Sequence, residues 1–187
     1  MTLRIYGNRK LKTLPGEDTR PTTGRVREAL FNFWSERVAG CRWLDLCCGY
    51  GTMGAEALAR EAQWVVGVEQ SAPVRRIALE NWAQIAPGRF AIYQGTLPEL
   101  LGAIARREPA FDLVYLDPPY QSGLYLPILA QLQQTNLIHL DSSVACEHRR
   151  RHPPGPAPGW EQYDQRDYGT NALSFYRLVD TRESIVD

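Results

Sequence analysis

From residue 43 onward, short apolar runs alternate with stretches of helical periodicity, and this alternation constrains the fold more than any other feature of the chain. Runs of four to six apolar residues suit strands covered on both faces, and a helix following each run supplies that cover. The pattern predicts βαβ units and a parallel sheet. The strands are expected at Trp43–Cys47, Trp64–Glu69, Phe90–Tyr93, Asp112–Leu116 and Ser143–Glu147. Helices are expected at Met53–Arg60, Pro73–Ile85, Leu97–Arg107 and Leu124–Gln134, with Leu97, Leu100, Leu101 and Ile104 forming one buried stripe.

Ahead of the sheet, Thr22–Arg37 reads as an amphipathic helix with Val26, Ala29, Leu30, Phe33 and Trp34 on one face. Pro21 holds Arg20 extended, and Thr22 can cap the helix start. Behind the sheet, the proline- and glycine-rich stretch Pro153–Gly159 must be a loop, and Ala172–Val179 reads as a last strand, antiparallel, at the sheet's far side. A chain of 187 residues is long enough for one well-cored domain, so 1–187 is expected to be a single domain: a basic extension and helix over 1–42, then a core over 43–187.

No apolar run approaches the roughly 20 residues of a membrane span, and the N-terminus lacks a secretory apolar segment, so a cytoplasmic protein is expected. Cys41, Cys47, Cys48 and Cys146 lack the paired spacing of a zinc site and read as reduced and mostly buried, with no metal implied.

The formal net charge is zero, yet residues 1–42 carry nine basic against four acidic side chains, a net of +5 that leaves −5 for the remainder. A second basic knot, His148-Arg149-Arg150-Arg151-His152, lies near the C-terminus. Arginines outnumber lysines 19 to 2, which favours bidentate contact with phosphates over simple surface charge. The candidate phosphate contacts are Arg9, Lys10, Arg20, Arg25, Arg149, Arg150 and Arg151; contacts of this kind position a nucleic acid without reading its sequence.

The segment Leu44-Asp45-Leu46-Cys47-Cys48-Gly49-Tyr50-Gly51-Thr52-Met53-Gly54 places glycines where the first parallel strand passes into a helix. Glycine there permits a tight turn and close approach of a ligand to the backbone, beside the unpaired amides of the helix start. The second strand ends on Glu69, placed to accept the two hydroxyls of a ribose, as suits both NAD and S-adenosylmethionine. Asp117-Pro118-Pro119-Tyr120, at the end of the fourth strand, favours the second. Its prolines remove two amide donors, leaving carbonyl oxygens and the Asp117 carboxylate as acceptors for an exocyclic amino group, while Tyr120 can stack on a flat base. Nothing supplies a hydride-transfer acid or base beside a nicotinamide.

These two motifs resemble those of the amino-methyltransferases of the class I S-adenosylmethionine fold. More narrowly, Arg20-Pro21-Thr22-Thr23-Gly24-Arg25-Val26-Arg27-Glu28-Ala29-Leu30-Phe31-Asn32 is similar to the N-terminal signature of the bacterial RsmD family, the 16S ribosomal RNA (guanine-966) N2-methyltransferases. The likeness extends through Arg4-Ile5, Arg9-Lys10-Leu11, Glu56-Ala57-Leu58 and Tyr168-Gly169 to nearly the whole chain. It implies a Rossmann-like α/β fold: a mostly parallel sheet, helices on both faces, an antiparallel C-terminal strand and a short N-terminal extension with a hairpin shorter than the family's. It further implies a cofactor site of Thr22, Asp45, Gly49, Gly51, Glu69, Gln70, Thr96, Leu97 and Asp117 for S-adenosylmethionine, and catalysis by Asp117, Pro118 and Tyr120. Where the family commonly reads Phe-Ala-Gly-Ser-Gly, this chain has Cys47-Cys48-Gly49-Tyr50-Gly51, which sets a bulky Tyr50 near the ligand, and Thr96 replaces an acidic or amide residue at the adenine edge.

The expected partner is 16S ribosomal RNA or the small ribosomal subunit, met by a monomer. The alternatives are a DNA adenine-N6 methyltransferase, which needs an added recognition region, a protein-glutamine methyltransferase, which typically carries Asn in place of Asp117, and a noncatalytic RNA-binding assembly factor.

Overall fold

The computed structural model describes residues 3–13, 24–119 and 121–180. A hairpin of β1 (Leu3–Ile5) and β2 (Arg9–Leu11) comes first, its turn closed by Arg4 donating to the Asn8 side-chain oxygen at 2.8 Å. There follow α1 (Gly24–Phe33), α2 (Ser35–Val38), β3 (Arg42–Leu46), α3 (Thr52–Ala59), β4 (Trp64–Glu69), α4 (Ala72–Ile85) and β5 (Phe90–Gln94). The chain continues through α5 (Leu101–Ala105), β6 (Phe111–Leu116), α6 (Tyr125–Gln134), β7 (Ile138–Arg149), β8 (Trp160–Tyr168) and β9 (Asn171–Leu178).

The seven strands β3 to β9 form one sheet in the order β5-β4-β3-β6-β7-β9-β8, parallel from β5 to β7 and antiparallel beyond. Both faces are apolar, as a doubly covered sheet requires. Trp43, Val65, Leu113 and Tyr115 meet α1, α3 and α4 on one face, where Phe31 stacks on Trp43 at 5.1 Å. Leu44, Leu46, Val66, Val114 and Leu116 meet α5 and α6 on the other.

Three expectations need correction, and one strand was not foreseen. The helix expected from Thr22 to Arg37 breaks at Trp34, whose backbone leaves helical geometry and whose carbonyl starts a new turn through Arg37 N; residue 22 lies outside the described residues. The helix expected over Leu97–Arg107 is helical only over Leu101–Ala105, because Pro98 offers no amide and the chain turns there, although Leu97, Leu101 and Ile104 are buried as the stripe required. The last strand is not at the sheet's far side: β9 lies between β7 and β8. The outer edge is β8, an unforeseen strand whose Glu161, Gln162, Gln165, Arg166 and Asp167 face solvent, as suits a strand with one unpaired edge.

The hairpin is fastened to α3 by a buried carboxylate. Glu56 accepts the Tyr6 amide at 3.0 Å and pairs with Arg27 at 3.1 Å and Arg60 at 2.9 Å, while Arg27 also donates to the Arg4 carbonyl at 2.7 Å.

Candidate active site

β3 and β6 are adjacent, with β4 and β5 to one side and β7 to the other, so the chain reverses its winding between them and opens a crevice at their carboxyl ends. Leu46 pairs with Val68 and with Leu116, and Leu116 with Cys146. The next residue on each strand therefore falls in one row: Cys47, Glu69, Asp117 and Glu147. Asp117 is half-buried, Pro118 buried and Pro119 exposed, and the Asp117 amide donates to the Leu46 carbonyl at 3.4 Å, fastening the loop to β3.

The crevice is acidic. Burial pushes the Cys47 thiol up to about 12, and Asp117, Glu69 and Asp45 push in the same direction, in that order, which locates three carboxylates around one side chain. Asp45 is 1% exposed, and its Oδ2 accepts the Gly54 amide at 2.8 Å. Its Oδ1 has no partner among the described residues. Burial raises its carboxyl to about 7, the Gly54 bond opposing and Glu69 adding to the rise. Glu69 spends one lone pair per oxygen on the local backbone, Oε2 on Gly49 N at 3.0 Å and Oε1 on Ser71 N at 2.7 Å, so each oxygen can accept a further donor. Exposed Gln70 and Thr96 flank Glu69, since Gly95 N donates to the Glu69 carbonyl at 3.3 Å; Leu97 is buried.

The three glycines of the loop divide into two roles. A side chain at Gly49 would meet nothing within 4 Å, so its backbone faces open space. A Cβ at Gly51, Gly54 or Gly67 would run into the indole of Trp82, which lies fully buried across the loop and donates to the Gly51 carbonyl at 2.6 Å. Gly51, at φ 79°, is also the left-handed residue that starts α3. Tyr50 is 5% exposed and packs with Val74 and Ile77 of α4. Beside Trp82, buried Asn81 donates to the carbonyls of Tyr50 at 2.9 Å and Lys12 at 3.1 Å and accepts the Lys12 amide at 2.8 Å, tying the glycine loop to the segment that leaves β2.

Arg149, Arg150 and Arg151 line a single cleft, and Arg25 lies near enough to Tyr168 to act on its phenol, which burial raises and Arg166 and Arg25 lower. Arg9 and Lys10 are exposed on the hairpin, which docks on α3. Arg20, Thr22 and Tyr120 lie outside the described residues. Reading the sequence missed Asn81 and Trp82, whose partners are 31 to 69 residues away. It also missed Glu147, 1% exposed, which accepts Tyr115 Oη at 2.6 Å and Asn171 Nδ2 at 2.7 Å. The strand-end position that singled out Glu69 applies equally to Glu147.

Known proteins share this sequence and fold. The "Ribosomal RNA small subunit methyltransferase D" of Escherichia coli (strain K12) is 27% identical over 191 residues, covering 99% of this chain and 94% of that protein. The protein of the same name from Haemophilus influenzae is 28% identical over 177 residues, covering 93% and 89%. The solved structure of the Escherichia coli protein yhhF superposes with a TM-score of 0.81 at 26% identity, covering 95% of this chain and 98% of that one. A conserved hypothetical protein from Streptococcus pyogenes follows at 0.71 and 28%, covering 82% and 96%. The match to the family described as "Conserved hypothetical protein 95" runs over residues 3–177, and the chain belongs to that family.

Proposed function

We propose that this chain is an S-adenosylmethionine-dependent methyltransferase of small-subunit ribosomal RNA, acting in the cytoplasm on the exocyclic N2 amine of a guanine. The observation that carries the reading is the convergence of Asp45, Glu69 and Asp117 on one crevice beside the open backbone of Gly49. Like charges repel, so a pyrophosphate is disfavoured there, whereas a cationic nucleoside without phosphate is attracted. The residues fit such a cofactor. The unpartnered Oδ1 of Asp45 can accept from an ammonium, and the two oxygens of Glu69 can each accept a ribose hydroxyl. Gln70, Thr96 and Leu97 border the adenine side, Gly49 and Gly51 shape the floor, and Thr22 is proposed to close the entrance. The names of the relatives support ribosomal RNA as substrate.

When bound, S-adenosylmethionine supplies an electrophilic methyl group. Asp117 and the Pro118 carbonyl accept the N–H bonds of the incoming amine, hold its nitrogen toward the methyl and stabilise the positive charge it acquires. Neither Pro118 nor Pro119 presents an amide that would oppose this amine. Tyr120 is proposed to stack on the extruded base, a contact of ~1–3 kcal/mol. Much of the rate would come from Asp117 and the Pro118 carbonyl holding the amine oriented for attack. Arg9, Lys10, Arg20, Arg25 and Arg149 to Arg151 hold phosphates.

The test is transfer of labelled methyl from S-adenosylmethionine to small ribosomal subunits, naked ribosomal RNA and duplex DNA, followed by digestion to nucleosides. N2-methylguanosine at one site, absent with Asp117→Ala, is expected; label in N6-methyladenine, or none despite cofactor binding, overturns the assignment.

A further inference from the structure

Beside the Asp117 loop lies a cleft of about 900 Å³, within the range of small-molecule sites. Gln121 and Tyr125, just beyond the prolines, form one wall, and Arg149, Arg150, Arg151 and His152 the other. Successive residues of a strand point to opposite faces, yet these four serve one cleft because β7 ends at Arg149 and His152 N turns back onto the Arg149 carbonyl at 2.8 Å. Arg150 pairs with Asp167 at 2.8 Å, and Arg149 donates to Thr170 at 3.1 Å. The side chains of Arg151 and His152 are exposed and have no partner among the described residues. Three guanidiniums and no carboxylate side chain line this cleft, which leaves its lining basic in a chain whose formal charge is zero and next to a crevice that is acidic.

The Tyr125 ring is held in place, its hydroxyl donating to the Glu147 carbonyl at 2.7 Å. Glu147 stands in the row of Asp117, and Arg149 is two residues further, about 7 Å at ~3.3 Å per residue. That is within the reach of one nucleotide from the proposed methyl-transfer point.

We propose that this cleft is a subsite for the single-stranded nucleotide adjoining the target guanine, its phosphate on Arg150 and Arg151 and its base against Tyr125. The subsite rests on the RNA-methyltransferase reading, but its binding can be measured without methyl transfer. A flat base beside a phosphate explains why an aromatic ring and a cluster of guanidiniums face each other across one cleft.

The experiment measures binding of a short single-stranded RNA containing one guanine, by fluorescence anisotropy over a series of salt concentrations, with S-adenosylhomocysteine present. Expected is a fall of about 0.7 in the magnitude of the slope of log K against log salt once this phosphate is no longer neutralised, partial in Arg151→Ala and complete in Arg150→Ala/Arg151→Ala. Arg151→Lys should restore the slope. Tyr125→Leu should weaken binding about five-fold or more while Tyr125→Phe, which keeps the ring, stays near the parent. Calorimetric S-adenosylhomocysteine binding by each variant reports that it is folded. Unchanged slopes and affinities in folded variants, no RNA binding by the parent, or equal affinity for duplex DNA with no effect of Tyr125→Leu, overturn the subsite. If the slopes fall as expected but no methyl reaches RNA, the catalytic reading fails and the cleft stands only as a binding site for single-stranded RNA.

Discussion

Replacing Gly54 by alanine pits two local rules against each other, and the structure says which wins. Gly54 is inside α3, where alanine is favoured over glycine by about 0.8–1.0 kcal/mol. Its Cβ, however, would stand 2.7 Å from Cε2 and Cη2 of Trp82, and closer still to Cζ2. The indole has nowhere to retreat: it is fully buried, its N–H is bonded to Gly51, and its far edge already fills the space over Gly67. Overpacking of this kind costs about 1–3 kcal/mol, and the upper end applies where the neighbour cannot move. The net is a loss of about 2 kcal/mol, or roughly 4–8 °C in Tm for a chain of this size. Trp82→Leu alone should cost about 2–4 kcal/mol through the cavity it leaves. In the double variant the new methyl enters that cavity, so the two losses do not add, and the coupling should be about 2 kcal/mol. Urea unfolding of the four cofactor-free proteins, followed by circular dichroism, measures the cycle. Additivity within about 0.5 kcal/mol, or a Gly54→Ala protein more stable than the parent, refutes the packing argument.

The other predictions concern buried polar groups. Because the Asp45 carboxyl titrates near 7 in the folded protein and near 4 unfolded, the folded state holds more protons between those values, so its contribution to stability falls as pH rises from about 4 to about 7. The difference in urea midpoint between parent and Asp45→Asn should grow in favour of the variant across that window; a difference independent of pH contradicts it. Asn81→Ala removes three hydrogen bonds and should cost about 2 kcal/mol, with faster hydrogen exchange at the Lys12 amide and weaker S-adenosylhomocysteine binding, both seen in one set of exchange and calorimetry measurements. Glu56→Ala leaves the Arg27 guanidinium buried without its carboxylate and should cost about 3–5 kcal/mol by thermal unfolding; a cost below about 1 kcal/mol would mean that the hairpin is held by its apolar contacts instead.

The strands that build the crevice were readable because each is an uninterrupted apolar run with a chemically distinctive residue at its carboxyl end: Trp64–Glu69 was found with both its limits, and Asp117 follows directly on Leu116. β8 was not readable because half its residues are charged or amide side chains that face water, leaving Trp160, Tyr163 and Tyr168 as the apolar positions on an edge strand. The division among Gly49, Gly51 and Gly54 was invisible for another reason. It depends on Trp82, which reaches the loop only after a strand and most of a helix intervene, and no local spacing encodes that approach. Charge counts carry no direction, so the sequence did not show that Arg149 to Arg151 meet at one cleft through a turn or that Arg9 and Lys10 sit on a hairpin strand.

The placement of Tyr50 bears on how this loop can be rewritten. Its ring packs with Val74 and Ile77 of α4. Substitutions at residue 50 should therefore succeed or fail with what stands at 74 and 77. A graft of this loop into another scaffold must carry that helical pair, together with Asn81 and Trp82, as a single cassette.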